Sequence, residues 1–396
     1  MANKDLTNAK RAKKDEFYTQ FNDIQKEIEA YLEYDSNVFR KMVVYCNCDD
    51  PYESHFFRYF VLNFNKLGLK KLITTSYKSS PVVNTQLQLF GDDIAPTKSK
   101  GRPKITAYKF IVSKVHDIDG DGEFNLKDVA LQLKANKHNE WSPLEGDGDF
   151  RSDECIKLLK QSDIVVTNPP FSLFREYMKQ LFDYNKKILI IGNLNAITYK
   201  EIFPKIMENK LWLGPTISSG DREFQVPDSY PLEASTCRVD EEGRKFLRIK
   251  GVRWFTNLDH GRRHQTLPLM TMKENLKYSK HKEIKGQKTY IKYQNYDAIE
   301  VSFTDAIPND FDGVMGVPIS FLDKYSPDQF EIVGMCENED LYKLKTKVYT
   351  SAECKQAYLD KFGKKGTYDL NASGVVIRDG LLEKVYQRVL IKHKRK

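Results

Sequence analysis

The sequence predicts an α/β fold, a doubly wound and mostly parallel sheet with a large insertion, followed by a smaller β-rich region. Three observations lead there. Short apolar runs of strand length occur at Lys41–Cys46, Lys70–Thr75, Asp163–Thr167 and Lys187–Ile191. Helical patterns separate them, at Asp23–Tyr34, Tyr52–Leu67, from about Asp153, and at Phe174–Tyr184. Strands alternating with helices give parallel pairing, because a parallel neighbour needs a crossover. Beyond Leu211 the alternation gives way to short β-like runs and turns.

Taken in order, residues 1–14 form a basic arm, residues 15–210 the α/β domain and residues 211–396 a second region. An insertion at about 78–145 interrupts the first domain with Gly, Pro and Lys around Gly91–Pro103 and a hairpin arm at Ile105–Val112. The alternation then resumes and closes with an expected helix at Ala196–Glu208. Sheets of this kind bind ligands at the carboxyl ends of their strands, where Asn47–Pro51 and Asn168–Phe171 fall.

Composition narrows the class. With 396 residues the chain can bury a large core, and 63 Lys and Arg against 55 Asp and Glu leave a net charge of +8, which suits a polyanionic partner. The sequence has no apolar run long enough to span a membrane and a polar, basic amino terminus, so a cytoplasmic protein is expected. Six cysteines without a Cys-x-x-Cys pair point to reduced thiols and no zinc framework.

Asn168-Pro169-Pro170-Phe171, directly after the Ile164 strand, is the most informative segment. An exocyclic amino nitrogen on a nucleobase has its lone pair delocalised into the ring. It attacks a methyl donor well only when hydrogen-bond acceptors draw on its protons and align it. The Asn168 amide oxygen is one candidate acceptor and the Pro169 carbonyl, fixed by proline geometry, a second. Phe171 offers a face for an extruded base. The bland reading is a strand that stops at Pro-Pro with an aromatic packed behind it. Direct in-line transfer needs no covalent intermediate, and no Pro-Cys pair is present for attack at a ring carbon.

Several segments together resemble the EcoRI-type DNA adenine methyltransferase family: Asp15–Gln20, Val43–Pro51, Gly148–Ser152, Asp163–Tyr177 and Ser219–Pro227. The resemblance implies a Rossmann-like methyltransferase sheet and a site-specific enzyme that uses S-adenosylmethionine to methylate the adenine amino nitrogen in double-stranded DNA. Such an enzyme is the protective half of a restriction–modification pair, with a restriction endonuclease acting on the same site without a stable complex. A monomer is expected. Phe17, Tyr18 and Thr19 resemble the aromatic-Thr-Pro motif that holds the donor's methionine part, although Gln20 replaces the proline. The first strand lacks the usual Gly-rich turn and ends in Asn47, with Asp49 and Asp50 as cofactor candidates or as caps of the following helix. The second strand ends Thr74-Thr75-Ser76-Tyr77 without the usual acid, leaving the ribose contact to hydroxyls or to another segment. Asp149 and Phe150 resemble the segment that touches the donor's adenine.

Target recognition is expected from the second region. Gly243–Phe255 carries Arg244, Lys245, Arg248, Lys250 and Arg253 with no acid, interleaved with aromatic residues, and Arg262 and Arg263 follow. These are DNA-binding candidates, against a hairpin with one solvated basic face. His260 and His264 lack further ligands and read as polar or DNA-facing, and Arg388–Lys396 as a solvated basic tail. Asp117–Asp128 has the spacing of a calcium loop but ends in Asp, so an ordinary Asp/Gly turn is the stronger reading and no metal is assigned. Methylation of RNA or of a protein glutamine, and a non-catalytic DNA-binding homologue, are the alternative classes.

Overall fold

The computed structural model describes residues 19–48, 54–77, 107–118, 120, 125, 128, 131, 138–218, 220–226 and 237–394. The chain divides into two compact units, residues 1–206 with 210–261, and residues 207–209 with 262–396.

Among the described residues, the first unit is built on an eight-stranded mixed sheet. Its middle is parallel: β1 (Val43–Cys46) lies between β2 (Lys71–Thr75) and β5 (Ile164–Thr167), and β5 pairs with β6 (Lys187–Asn193). Strands β1 and β5 are buried at every position, which is why they read as continuous apolar runs rather than alternating ones. Antiparallel strands widen the sheet on both sides. On the β2 side lie β3 (Tyr108–Val112) and β4 (Glu140–Pro143), so the expected insertion contributes strands to the sheet it interrupts.

Later strands complete the other side: β11 (Val252–Thr256) pairs with β6, and β7 (Trp212–Leu213) pairs with β11. The domain boundary expected near residue 210 therefore falls after Gly261 instead. Its cause is the apolar side of β11. Trp254 is fully buried and meets the Phe56 ring edge-on at 6.0 Å, too large an apolar surface to leave in water. A three-stranded antiparallel sheet of β8 (Asp221–Val226), β9 (Cys237–Val239) and β10 (Lys245–Lys250) adds Phe224, Val226, Leu247 and Ile249 to the same core.

Helices cover both faces of the sheet. Val44, Leu72, Ile164, Val166, Leu189 and Ile191 face α1 (Phe21–Tyr34), α2 (His55–Leu62) and α3 (Phe64–Leu67) in one cluster. The alternate residues Tyr45 and Phe255 meet α4 (Asp153–Gln161) and α5 (Phe174–Asp183), as the 5.2 Å contact of Phe174 with Phe255 shows. Local chemistry sets the helix ends. The Ser54 hydroxyl accepts from the Phe56 and Phe57 amides, Ser152 caps α4 through the Cys155 amide, and Gly68 ends α3 in the left-handed region. The single helix expected to Leu67 breaks at Asn63. The expected Ala196–Glu208 helix is split: a 3-10 helix, Leu194–Thr198, capped by the Asn193 side chain on the Asn195 amide, ends at Tyr199, and α6 (Phe203–Met207) follows with Pro204 in its first turn.

The second unit holds a four-stranded sheet in the order β12 (Ala298–Glu300), β13 (Val314–Pro318), β17 (Arg388–His393), β14 (Phe330–Met335). It also has a hairpin of β15 (Val375–Arg378) and β16 (Leu381–Lys384), and helices α7 (Met272–Tyr278) and α8 (Ser351–Phe362), each opened by a Thr/Glu capping box. Within the terminal segment read as a solvated basic tail, Arg388–His393 form strand β17, buried from Arg388 to Ile391. Arg388 is buried because Glu300 is buried beside it: Nε lies 3.1 Å from both carboxylate oxygens and a terminal nitrogen 2.6 Å from one. Tyr293 and Ser302 donate to the same carboxylate.

Candidate active site at the carboxyl edge of the central sheet

The carboxyl ends of β1, β2 and β5 are tied together by side chains. Asn47, directly after β1, accepts from its neighbour's amide, Cys48 N, at 2.8 Å and from the Thr75 hydroxyl at 3.0 Å. Thr75 is also 3.0 Å from the Tyr45 hydroxyl, and the Thr167 hydroxyl donates to the Asn47 carbonyl. Thr167 is the last residue of β5, so this bond joins the segment after β1 to the residue before Asn168. Burial strengthens each of these bonds and makes each costly to lose.

Asn168 and Pro170 are half-buried and Pro169 is buried. The Pro170 carbonyl accepts from Leu173 N at 2.9 Å, closing the turn that leads into α5. Phe171 is only 8% exposed and belongs to the main core, so its ring anchors the turn and presents no open face for a base.

Gly146–Phe150 approaches the end of β2 very closely. Gly148 has φ +80°, and a Cβ there would lie 2.0 Å from the Ser76 carbonyl oxygen. Only glycine permits that approach. Leu144 N bonds to the Ala107 carbonyl and Ser76 N to the Tyr108 carbonyl, holding this segment's neighbours in place. Asp149 is gripped by Arg151. The Arg151 backbone N and Nε donate to Oδ1 at 2.8 and 2.9 Å, and a terminal nitrogen donates to Oδ2 at 2.6 Å. That grip holds the Asp149 carboxyl below the usual carboxylate range. Phe150 is buried, edge-on to Tyr177 at 5.0 Å, with the Arg151 guanidinium 5.2 Å from its ring centroid.

The Thr74, Thr75 and Ser76 hydroxyls proposed for a ribose are buried, and those of Thr75 and Ser76 are engaged internally. They brace the sheet edge. Phe17, Tyr18, Asp49 and Asp50 lie outside the described residues. Thr19 is described: its carbonyl lies 2.6 Å from His55 Nδ1, and since a carbonyl only accepts, that nitrogen carries the proton. Burial, with Arg58 and Arg244 nearby and despite the Thr19 carbonyl, lowers the His55 pKa from its ordinary value. The buried Thr19 hydroxyl has no hydrogen-bond partner among the described residues.

The basic candidates separate by burial. Arg248 and Lys250 are exposed on one face of β10, Lys245 is half-buried, and Arg244 pairs with Asp240 and Glu242 at 2.7 and 2.8 Å. Arg253, expected at the DNA, is instead turned inward: it is 4% exposed and donates to the Val252 and Ser218 carbonyls, fixing the loop before β8. Arg263 is likewise buried and bonded to Asn209, and Arg262 is half-buried. His260 is buried, bonded to the Leu213 carbonyl and edge-on to Tyr31, whereas His264 meets Asp328 at 2.9 Å. In the calcium-like loop, Asp117 and Asp128 accept from the loop's own amides at Gly120, Ile118 and Asn125; residues 119, 121–124 and 126–127 lie outside the described residues. Sequence reasoning missed Thr167, His55 and Arg151. Only Arg151 left a signal, by following an acid two residues away.

Comparison with known proteins covers the whole of this arrangement. The family model for the adenine-specific methyltransferase EcoRI matches residues 5–394. The chain is 45% identical over 338 residues to Type II methyltransferase M.EcoRI of Escherichia coli, spanning 85% of this chain and 91% of that protein. It is 35% identical over 345 residues to Type II methyltransferase M.MpnI of Mycoplasma pneumoniae, spanning 86% and 89%. No solved structure gives a significant match. With a match through both compact units and this degree of identity, the chain belongs to the EcoRI family of adenine-specific methyltransferases.

Proposed function

We propose that this chain is the modification enzyme of a restriction–modification system, transferring a methyl group from S-adenosylmethionine to N6 of an adenine flipped out of double-stranded DNA. The bond from Thr167 to the Asn47 carbonyl carries the reading, because it sets the acceptor segment beside the end of β1 in one rigid block. The parallel block β2-β1-β5-β6 is read as a Rossmann-like cofactor sheet.

Among the described residues, an ionised carboxylate at Asp149, an orphaned hydroxyl at Thr19, Asn47 and Phe150 fit an amino-bearing, cationic donor; Phe17, Tyr18, Asp49 and Asp50, outside the described residues, are proposed beside them from the sequence alone. Bound there, S-adenosylmethionine supplies an electrophilic methyl group on a sulfonium. Asn168 Oδ1 and the Pro169 carbonyl accept hydrogen bonds from the two amino protons of the adenine and hold its nitrogen lone pair toward the donor, and once the N–CH3 bond has formed at the expense of the sulfonium C–S bond one amino proton passes to solvent. Pro170 and the buried Phe171 stiffen the turn that carries them, so little reorganisation is needed at the moment of transfer. Arg244, Lys245, Arg248, Lys250 and Arg262 are the residues proposed for DNA, with Arg248 and Lys250 the exposed pair on β10. The enzyme acts as a monomer in the cytoplasm, and its cognate endonuclease recognises the same site without a lasting complex. Among the described residues no helix is long and apolar enough to cross a membrane.

Sequencing modified bases in DNA from a methylation-free host tests the proposal. Methylated adenines confined to one short sequence are expected. Asn168→Ala should lower methylation by on the order of a hundredfold or more while sparing cofactor binding; activity within a few-fold of wild type would remove Asn168 from the acceptor role.

A further inference from the structure

Asp149 and Phe150 already have an occupant. The Arg151 guanidinium is planar, donates to both Asp149 oxygens and lies over the Phe150 ring. Those are the two interactions a purine bearing an amino group would ask of the same residues: a donor to the carboxylate and a flat surface against the aromatic ring. The ion pair is solvent-accessible, with the Arg151 side chain 51% exposed and that of Asp149 20%. Arg151 also has a second carboxylate within reach, since its other terminal nitrogen is 2.9 Å from Glu176 at the start of α5.

We propose that Arg151 is a latch over the adenine end of the cofactor site, competing with the donor's adenine for Asp149 and transferring its hydrogen bonds to Glu176 when the cofactor enters. The proposal rests on reading Asp149 and Phe150 as that end of the site. The exchange is inexpensive. An exposed pair contributes little, so releasing it shifts affinity by only about fivefold, and Glu176 spares the guanidinium from losing its carboxylate partner altogether. Discrimination follows as well: a ligand without an amino donor at this position cannot replace what Arg151 gives up.

The test is equilibrium binding of S-adenosylmethionine and of S-adenosylhomocysteine by calorimetry, with thermal unfolding to confirm the fold of each variant. Arg151→Ala should tighten both ligands by about fivefold. Arg151→Lys should tighten them nearly as much, because lysine keeps the charge and loses the planar two-pronged grip. Glu176→Ala should weaken both about twofold by removing the alternative acceptor. Weaker binding on Arg151→Ala would make Arg151 a support of the loop and overturn the latch. Tightening confined to Arg151→Ala and to the cationic ligand would reduce the effect to charge repulsion and overturn it equally. Asp149→Asn separates the two layers of the argument. A loss of about tenfold or more supports the adenine reading whatever Arg151 does, and wild-type affinity would sink that reading and the latch with it.

Discussion

Arg388 and Arg151 each grip a carboxylate through two side-chain nitrogen atoms, one in each compact unit, and the pairs differ in their burial and in what surrounds them. The side chains of Arg388 and Glu300 are 8% and 2% exposed, whereas those of Arg151 and Asp149 are 51% and 20% exposed. Around the first pair, Tyr293 and Ser302 fill further positions on the carboxylate, so it is a closed strut between β12 and β17. Around the second, water and a rival carboxylate are at hand. The same fork of hydrogen bonds is thus architecture where it is dry and an exchangeable contact where it is wet.

The largest expected effect breaks the dry pair from one side. Glu300→Ala strands a buried guanidinium and should cost the second unit about 3–5 kcal/mol in chemical denaturation, while the paired replacement Glu300→Leu with Arg388→Met should cost far less. Next comes the backbone beneath the wet pair. Gly148→Ala places a methyl against the Ser76 carbonyl at a positive φ and should destabilise the first unit by about 1–3 kcal/mol in the same assay, weakening cofactor binding in parallel. An unchanged midpoint would mean that the loop holding Asp149 relaxes freely. Salt sharpens the contrast further. In about 1 M salt the affinity difference between wild type and Arg151→Ala should shrink, and the cost of Glu300→Ala should not.

The smallest effect concerns two acid-range carboxyls. Asp149 has its carboxyl lowered from 3.8, chiefly by the Arg151 side-chain hydrogen bonds, so the pair's contribution is present above 3.8 and is lost as pH falls through the lowered value. Glu353, in the capping box of α8, is lowered from 4.5 to about 2, first by its bond from the Thr350 backbone. Its contribution is complete above 4.5 and fades toward 2, so acid titrations of wild type and Glu353→Gln should converge there. A constant offset would remove the titrating cap.

What the sequence revealed, and what it hid, follows from range. Strands β1, β2, β5 and β6 announce themselves because both their faces are buried, and the Asn168 segment because its chemistry demands those residue types. Caps are local, and Ser152 marks the start of α4 plainly. Arg253 illustrates the opposite case. Basic and aromatic residues alternate through Gly243–Phe255, a pattern shared by a DNA-facing strand and a core strand with an arginine turned inward. Only the pairing of β11 with β6, distant in sequence, decides between them. Phe150 and Phe171 show the same limit: an aromatic beside a motif can be a platform or a keystone, and its burial is set by elements elsewhere in the chain.

The distance in sequence between β6 and β11 has a consequence for synthesis. During translation β6 emerges about sixty residues ahead of its antiparallel neighbour, a wait of several seconds at roughly 5–20 residues per second. Throughout that interval the flank of Ile188–Ile191 lacks the strand that later closes it, and its backbone groups stand ready to pair with any other nascent chain. Lys186 and Lys187 sit directly before this apolar run, the position where charged gatekeepers discourage such pairing. A ribosome-bound chain stalled before residue 252 should therefore bind chaperones more strongly than one released beyond 261.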